Sequence, residues 1–230
     1  AQDQADFHIS LGDDFSVDML NPATVTQAQV RERYAIQRPY LSQVGRNAPV
    51  FLVNGNHEQA AGYLLNSTEN NVAVWAMNAR KSYYSQPAPD YFYSGNAESI
   101  PFVGLPRNYY AWTWGDALFV AIDPYLASSV PLATIFGSAS LNTDPWAATH
   151  GEAQYQWLKK TLENSKAKYK FVFAHHVMGS GRGGVELATY SEWGGYSKSG
   201  TYDFAQKRST WASPIHQLMV ANKVNAFFQG

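Results

Sequence analysis

Pro49-Val50-Phe51-Leu52-Val53-Asn54-Gly55-Asn56-His57-Glu58 is the stretch around which the chain is organised. Four apolar residues of strand-forming type, introduced by a proline and followed by a glycine two positions on, form the pattern of a buried strand whose end delivers polar side chains to a sheet edge. In open α/β sheets that edge is where ligands bind. On this stretch alone, an ordinary strand-to-loop exit with three incidental polar residues explains the pattern equally well.

Working outward, Phe7-His8-Ile9-Ser10-Leu11 alternates apolar and polar positions and runs into Gly12-Asp13-Asp14-Phe15-Ser16, a strand ending in an acidic turn. Between the two strands, residues 24–44 follow a helical pattern, with Val25, Ala28, Tyr34 and Leu41 spaced for one face and Pro39 expected to kink or end the helix. A strand, helix, strand unit defaults to a parallel, right-handed crossover. That topology puts Asp13 and Asn56 at the same edge of the sheet.

Downstream, residues 59–106 show no sustained period beyond a short helix around Val72 to Arg80, and residues 124–149 form a second irregular excursion. Tyr109 to Trp114 and Ala117 to Ile122 flank Gly115-Asp116 as a hairpin. Gly151 to Asn164 is the clearest helix, with Tyr155, Leu158 and Leu162 on one face; Thr149 with Glu152 has the spacing of a capping box. Tyr169 to Ala174 is a strand that ends in His175-His176, followed by a loop holding four glycines and Arg182. Ser213-Pro214 opens a last helix with proline in its first turn, with Ile215, Leu218 and Met219 as its apolar face, and Val224 to Gln229 is a final strand reaching Gly230.

Composition narrows the function classes. With 230 residues and no recognisable linker, residues 1–230 read as one domain. The 17 basic and 18 acidic residues nearly cancel, so no nucleic-acid-binding or membrane-surface footprint is evident. No cysteine is present, which excludes disulfides, thiol nucleophiles and thiolate-bound zinc. Any metal must be held by His, Asn, Asp or Glu. No run spans a bilayer, and no signal peptide is visible at Ala1. Seven Trp and fifteen Tyr lie largely in loop-like segments, where aromatic anchors keep loops ordered; a carbohydrate-stacking surface has the same appearance in sequence.

Three strands therefore end in residues compatible with metal: Asp13, then Asn56 and His57, then His175 and His176. Carboxylate, amide oxygen and imidazole suit a hard or borderline divalent cation, and a carboxylate can bridge two ions about 3.5–4 Å apart. Spacing does not choose between His175 and His176, because neighbours at a strand end point to opposite faces.

Gly12-Asp13, Gly55-Asn56-His57-Glu58 and the strand ending in His175-His176 resemble, in order, the second, third and fourth motif blocks of the calcineurin-like metallophosphoesterases. Glu192-Trp193-Gly194-Gly195 and Pro214-Ile215-His216-Gln217-Leu218, leading to Phe227-Phe228-Gln229-Gly230, resemble secreted bacterial, purple acid phosphatase-related members. Ser16 stands where purple acid phosphatases carry their iron-binding tyrosine, so the resemblance does not extend to that subgroup. The resemblance implies an αββα fold, a two-sheet β-sandwich flanked by helices.

By motif position the resemblance implies Asp13 as a ligand shared by two metal ions, Asn56 and His175 as ligands of the second, and His57 as general acid. The ions are divalent or trivalent (Mn, Fe or Zn), and a metal-bound hydroxide attacks a small-molecule phosphomonoester or diester. Family likeness also implies a periplasmic or secreted location. Arg182 is a candidate phosphate clamp and His176 a candidate substrate contact. Glu192 and Trp193 either line the cleft or anchor the fold, and Asp14 and Asp18 are solvated or assist the ligands. His8, His150 and His216 read as structural.

Two blocks of the family pattern are missing. Asp6-Phe7-His8 imitates the first, but His8 lies five residues before Asp13 on one strand, roughly 16 Å away at about 3.3 Å per residue. The chain stops at the glycine that would open the fifth. The expectation is a domain truncated at both ends that lacks four metal ligands and hydrolyses weakly or not at all. The competing expectation, from another class, is a catalytically degenerate member acting as a glycan- or partner-binding surface protein.

Overall fold

A computed structural model describes residues 4–17, 20–21, 23–131, 144–176 and 188–230. Strand β1 (His8–Ser10) pairs in parallel with β2 (Val50–Leu52), in register His8 with Val50 and Ser10 with Leu52. Helix α1 (Gln27–Val44) is the crossover between them. Thr26 caps it through a reciprocal pair of bonds with Gln29.

Pro39 does not end α1; the helix runs through it to Val44. Pro39 is exposed, so its ring meets no packed neighbour, and Ser42 Oγ donates to the Arg38 carbonyl one turn back. The buried face also differs from the spacing estimate: Val25, Val30 and Tyr34 go inward, and Ala28 is exposed.

A five-stranded sheet has the order β3-β4-β5-β6-β7. It comprises β3 (Ser94–Gly95), β4 (Tyr110–Trp114), β5 (Ala117–Ala121), β6 (Tyr169–Ala174) and β7 (Ala226–Gln229). The expected hairpin is β4-β5, turning at Gly115-Asp116, while β5, β6 and β7 are mutually parallel. Helices α2 (Val72–Tyr83) and α3 (Glu152–Asn164) are followed by the short α4 (Ser191–Gly194) and α5 (Phe204–Lys207), then α6 (Ile215–Ala221). The stretch 59–106 therefore carries a full twelve-residue helix, α2, capped by the Asn71 side chain.

Alternation along the five-stranded sheet builds two cores. Leu118, Val120, Val172 and Ala174 face α3, α4 and α6, where Tyr155, Leu158, Leu162, Ile215 and Leu218 close over them. The opposite face meets the β1-β2 sheet through aromatic rings: Phe51 stacks on Trp112 at 4.0 Å and Phe7, just before β1, meets Phe119 edge-on at 4.9 Å, while Trp112 and Phe119, 5.2 Å apart, and Phe173 and Phe228, 5.0 Å apart, stack along the five-stranded sheet itself. Two sheets are thus faced on each other and flanked by helices. Among the described residues no helix is long and apolar enough to cross a membrane.

Trp112 is 3 % exposed and central to the inter-sheet stack. Trp112→Ala is expected to lower unfolding stability by about 3–5 kcal/mol, read from urea denaturation.

Candidate functional site

The ends of β1 and β2 approach each other through two glycines. Gly12 has φ +94°, and a Cβ on it would lie 2.6 Å from the Gly55 backbone nitrogen. A Cβ on Gly55 would lie 2.2 Å from Asp13 Oδ1. Only glycine permits this approach. The next residue, Asp13, is itself in the left-handed region at φ 56°, a conformation that costs an L residue about 1–2 kcal/mol.

That turn aims the Asp13 carboxylate at three partners. Oδ1 accepts the His57 backbone N–H at 3.0 Å, and Oδ2 lies 2.9 Å from His175 Nε2 and 3.7 Å from His57 Nε2. The His175 ring is buried, and its Nδ1 donates to the Leu11 carbonyl at 2.7 Å, which points Nε2 at Asp13. Asn56 sits half-buried in the same turn. Asp13, Asn56, His57 and His175 are therefore brought to one edge from both sheets.

Burial disfavours ionisation of Asp13, but the His175 hydrogen bond and the His57 N–H outweigh it and hold the carboxyl below its ordinary value. For His175 burial again opposes charge, and the bonds to Asp13 and Leu11 prevail and raise it. His176 differs from its neighbour. Its Nδ1 is 2.7 Å from the Tyr125 hydroxyl, and burial together with the nearby His175 charge pushes it down to about 4.

Behind these groups lies a layer that sequence reasoning missed. Glu58 is buried and pushed up to about 8, first by burial and then by the charges of Asp13 and Asp14. Its Oε1 accepts the Asp14 N–H at 3.0 Å, which ties the two strand-end turns together a second time. Asp14 in turn accepts from Ser10 Oγ at 2.7 Å. Asp123, at the exit of β5, is fully buried and accepts from Asn108 Nδ2 at 2.6 Å, the Tyr125 N–H at 2.9 Å and Asn54 Nδ2 at 3.4 Å. Asp123 follows an apolar strand just as Asp13 does, and that repeated pattern was the signal available for it.

Glu192 is an anchor. It has no exposed surface and takes the Thr149 hydroxyl at 2.5 Å, His150 Nδ1 at 2.9 Å and Arg208 Nε at 2.5 Å. Thr149 is consequently not the cap of α3: Gly151 holds that position without a side-chain bond, and Glu152 reaches instead to Thr210 and Trp211. Pro214 similarly stands at the cap of α6 and not inside its first turn. Trp193 packs on Phe227 in the core, and His216 is exposed on α6. Arg182 and Asp18 lie outside the described residues.

Among the described residues no three His, Asp or Glu side chains form a metal-holding group by themselves. The donor types nevertheless fit one ion: Asp13 and His175 already meet, Asn56 adds an amide oxygen, and the Leu11 carbonyl orients the imidazole as the outer partners of metal-bound histidines do.

The model of the calcineurin-like phosphoesterase family matches residues 1–207, and the chain belongs to that family. Members hydrolyse phosphoesters and in general bind divalent metals. A comparison with curated proteins found no match.

Gly55→Ala is expected to force the two turns apart and lower stability by about 1–3 kcal/mol in urea denaturation. Glu192 is buried, yet His150 and Arg208 hold it below its ordinary value of 4.5, so its contribution is present above that value and is lost as the pH falls through the folded value. Glu192→Gln should therefore be markedly less stable than the parent at pH 7, with the difference narrowing below about pH 4.5. Thermal melts across pH measure this.

Proposed function

We propose that the chain carries the second-metal half of a dinuclear phosphoesterase site, in which Asp13, Asn56 and His175 hold an ion and His57 protonates the leaving group. One observation carries the reading: the 2.9 Å contact between Asp13 and His175, made between the ends of two different sheets in a chain of this family. A bound divalent ion supplies Lewis-acid polarisation of the phosphoryl oxygen and offsets the charge that develops there.

The chain's own residues do the rest. Asp13 is fixed by the His57 N–H at Oδ1, which leaves Oδ2 facing His175. The His57 side chain is 40 % exposed, against 27 % for Asp13 and 6 % for His175, with Nε2 on the Asp13 side, which suits a group that must meet a leaving oxygen and then solvent. His175 keeps one orientation because its Nδ1–H is committed to Leu11.

The substrate is proposed as a small phosphomonoester or diester. Asp13→Ala is expected to remove manganese-stimulated hydrolysis of nitrophenyl phosphate or bis(nitrophenyl) phosphate; undiminished turnover contradicts the reading. His57→Ala should cost about 10²–10⁴-fold on an alkyl phosphoester and far less on a nitrophenyl ester, whose leaving group needs little protonation. Equal losses on both would remove His57 from the acid role.

A further inference from the structure

His175 and His176 are adjacent, with ring centroids 4.1 Å apart, but their Nδ1 atoms meet opposite chemistry. His175 Nδ1 faces a carbonyl, which only accepts, so that nitrogen carries hydrogen. His176 Nδ1 faces the Tyr125 hydroxyl at 2.7 Å. Tyr125 is 3 % exposed, and the structure gives its hydroxyl no other acceptor among the described residues. A buried hydroxyl places its one proton on the acceptor it has. Tyr125 therefore donates, Nδ1 of His176 receives, and the hydrogen of the neutral ring is at Nε2.

Tyr125 is itself held from below. Its N–H donates to Asp123 Oδ1, and the Asp123 backbone is clamped at both ends by the Gln154 amide, at 2.7 Å and 2.6 Å. The same Asp123 carboxylate receives Asn54, at the exit of β2. One buried carboxylate thus ties the backbone of Tyr125 to the strand that delivers Asn56 and His57. The His176 ring is half-buried, and its Nε2 lies across the ring from the nitrogen that meets the phenol.

We propose that Tyr125 is a positioning residue that locks His176 in its Nε2–H tautomer, making it a neutral hydrogen-bond donor to a phosphoryl oxygen. The pair of histidines then divides the work by tautomer. His175 presents Nε2 to Asp13 and the ion, whereas His176 presents Nε2–H to the substrate. This rests on the phosphoesterase reading for its ligand, while the tautomer itself is independent of that reading.

The test is Tyr125→Phe, which removes one hydroxyl and keeps the ring. Long-range ¹H–¹⁵N spectra of the imidazoles at pH 7, without metal or substrate, should show a single Nε2–H form of His176 in the parent and a mixture in the variant. With manganese present, inorganic phosphate should bind about 2–10-fold more weakly to the variant, the range of one neutral hydrogen bond. His176→Gln should lose at least as much, and the double variant no more than His176→Gln alone. An unchanged ¹⁵N pattern, or equal phosphate affinity in parent and variant, overturns the proposal. If Tyr125→Phe fails to fold, a parent spectrum showing His176 with hydrogen at Nδ1 overturns it, and one with hydrogen at Nε2 together with weakened phosphate binding by His176→Gln supports it. Failure of the phosphoesterase reading appears separately, as Asp13→Ala retaining hydrolysis.

Discussion

Contact between the backbones of Gly12 and Gly55 is the constraint on which the rest of the site depends. Each strand end turns sharply where a Cβ would collide with the other, so the turns nest and the Asp13 carboxylate reaches the His57 N–H. The same carboxylate then reaches across to His175 at the end of β6, while His175 bonds the Leu11 carbonyl at the end of β1. Two bonds therefore join the sheets at their functional edge, where the aromatic stack between them gives way to polar side chains. The left-handed backbone of Asp13 is strain that the surrounding turns hold in place, as is common where geometry serves a ligand.

Burying acidic groups so close together is costly, and the fold limits the cost with local donors. Asp123 remains surrounded by Asn108, Asn54 and the Tyr125 N–H, yet burial still raises its carboxyl above the ordinary value. Among the described residues Glu58 Oε2 has no hydrogen-bond partner, and the group is pushed up to about 8 by burial and by the charges of Asp13 and Asp14. Asp13 differs from both: the His175 hydrogen bond and the His57 N–H outweigh burial and hold its carboxyl below the ordinary value. Arg80 contributes from the other side, where its buried guanidinium donates to the Leu52 carbonyl at 2.6 Å.

Most of the sheet architecture was legible in sequence because burial writes a period into strands. Val50 to Val53, Ala117 to Ile122 and Tyr169 to Ala174 sit where their apolar runs place them, and the polar clusters after β1, β2 and β6 meet where Asp13 contacts His57 and His175. What failed was local reasoning overruled by tertiary contact. Thr149 and Glu152 have capping-box spacing, but Glu192 claims the Thr149 hydroxyl and Trp211 claims Glu152. Pro39 breaks a hydrogen bond at an exposed position, which α1 tolerates. Tyr125 and Asp123 were not singled out because their meaning lies in partners 51 and 31 residues away, His176 and Gln154, which no local motif encodes.

The central claim is that Asp13, Asn56 and His175 hold one divalent ion. Anomalous diffraction at the manganese absorption edge, from crystals soaked in manganese, addresses it directly. The account predicts a peak within bonding distance of the Asp13 carboxylate and His175 Nε2, with the Asn56 amide oxygen turned towards it. A peak elsewhere on the chain, or none at saturating manganese, would contradict it.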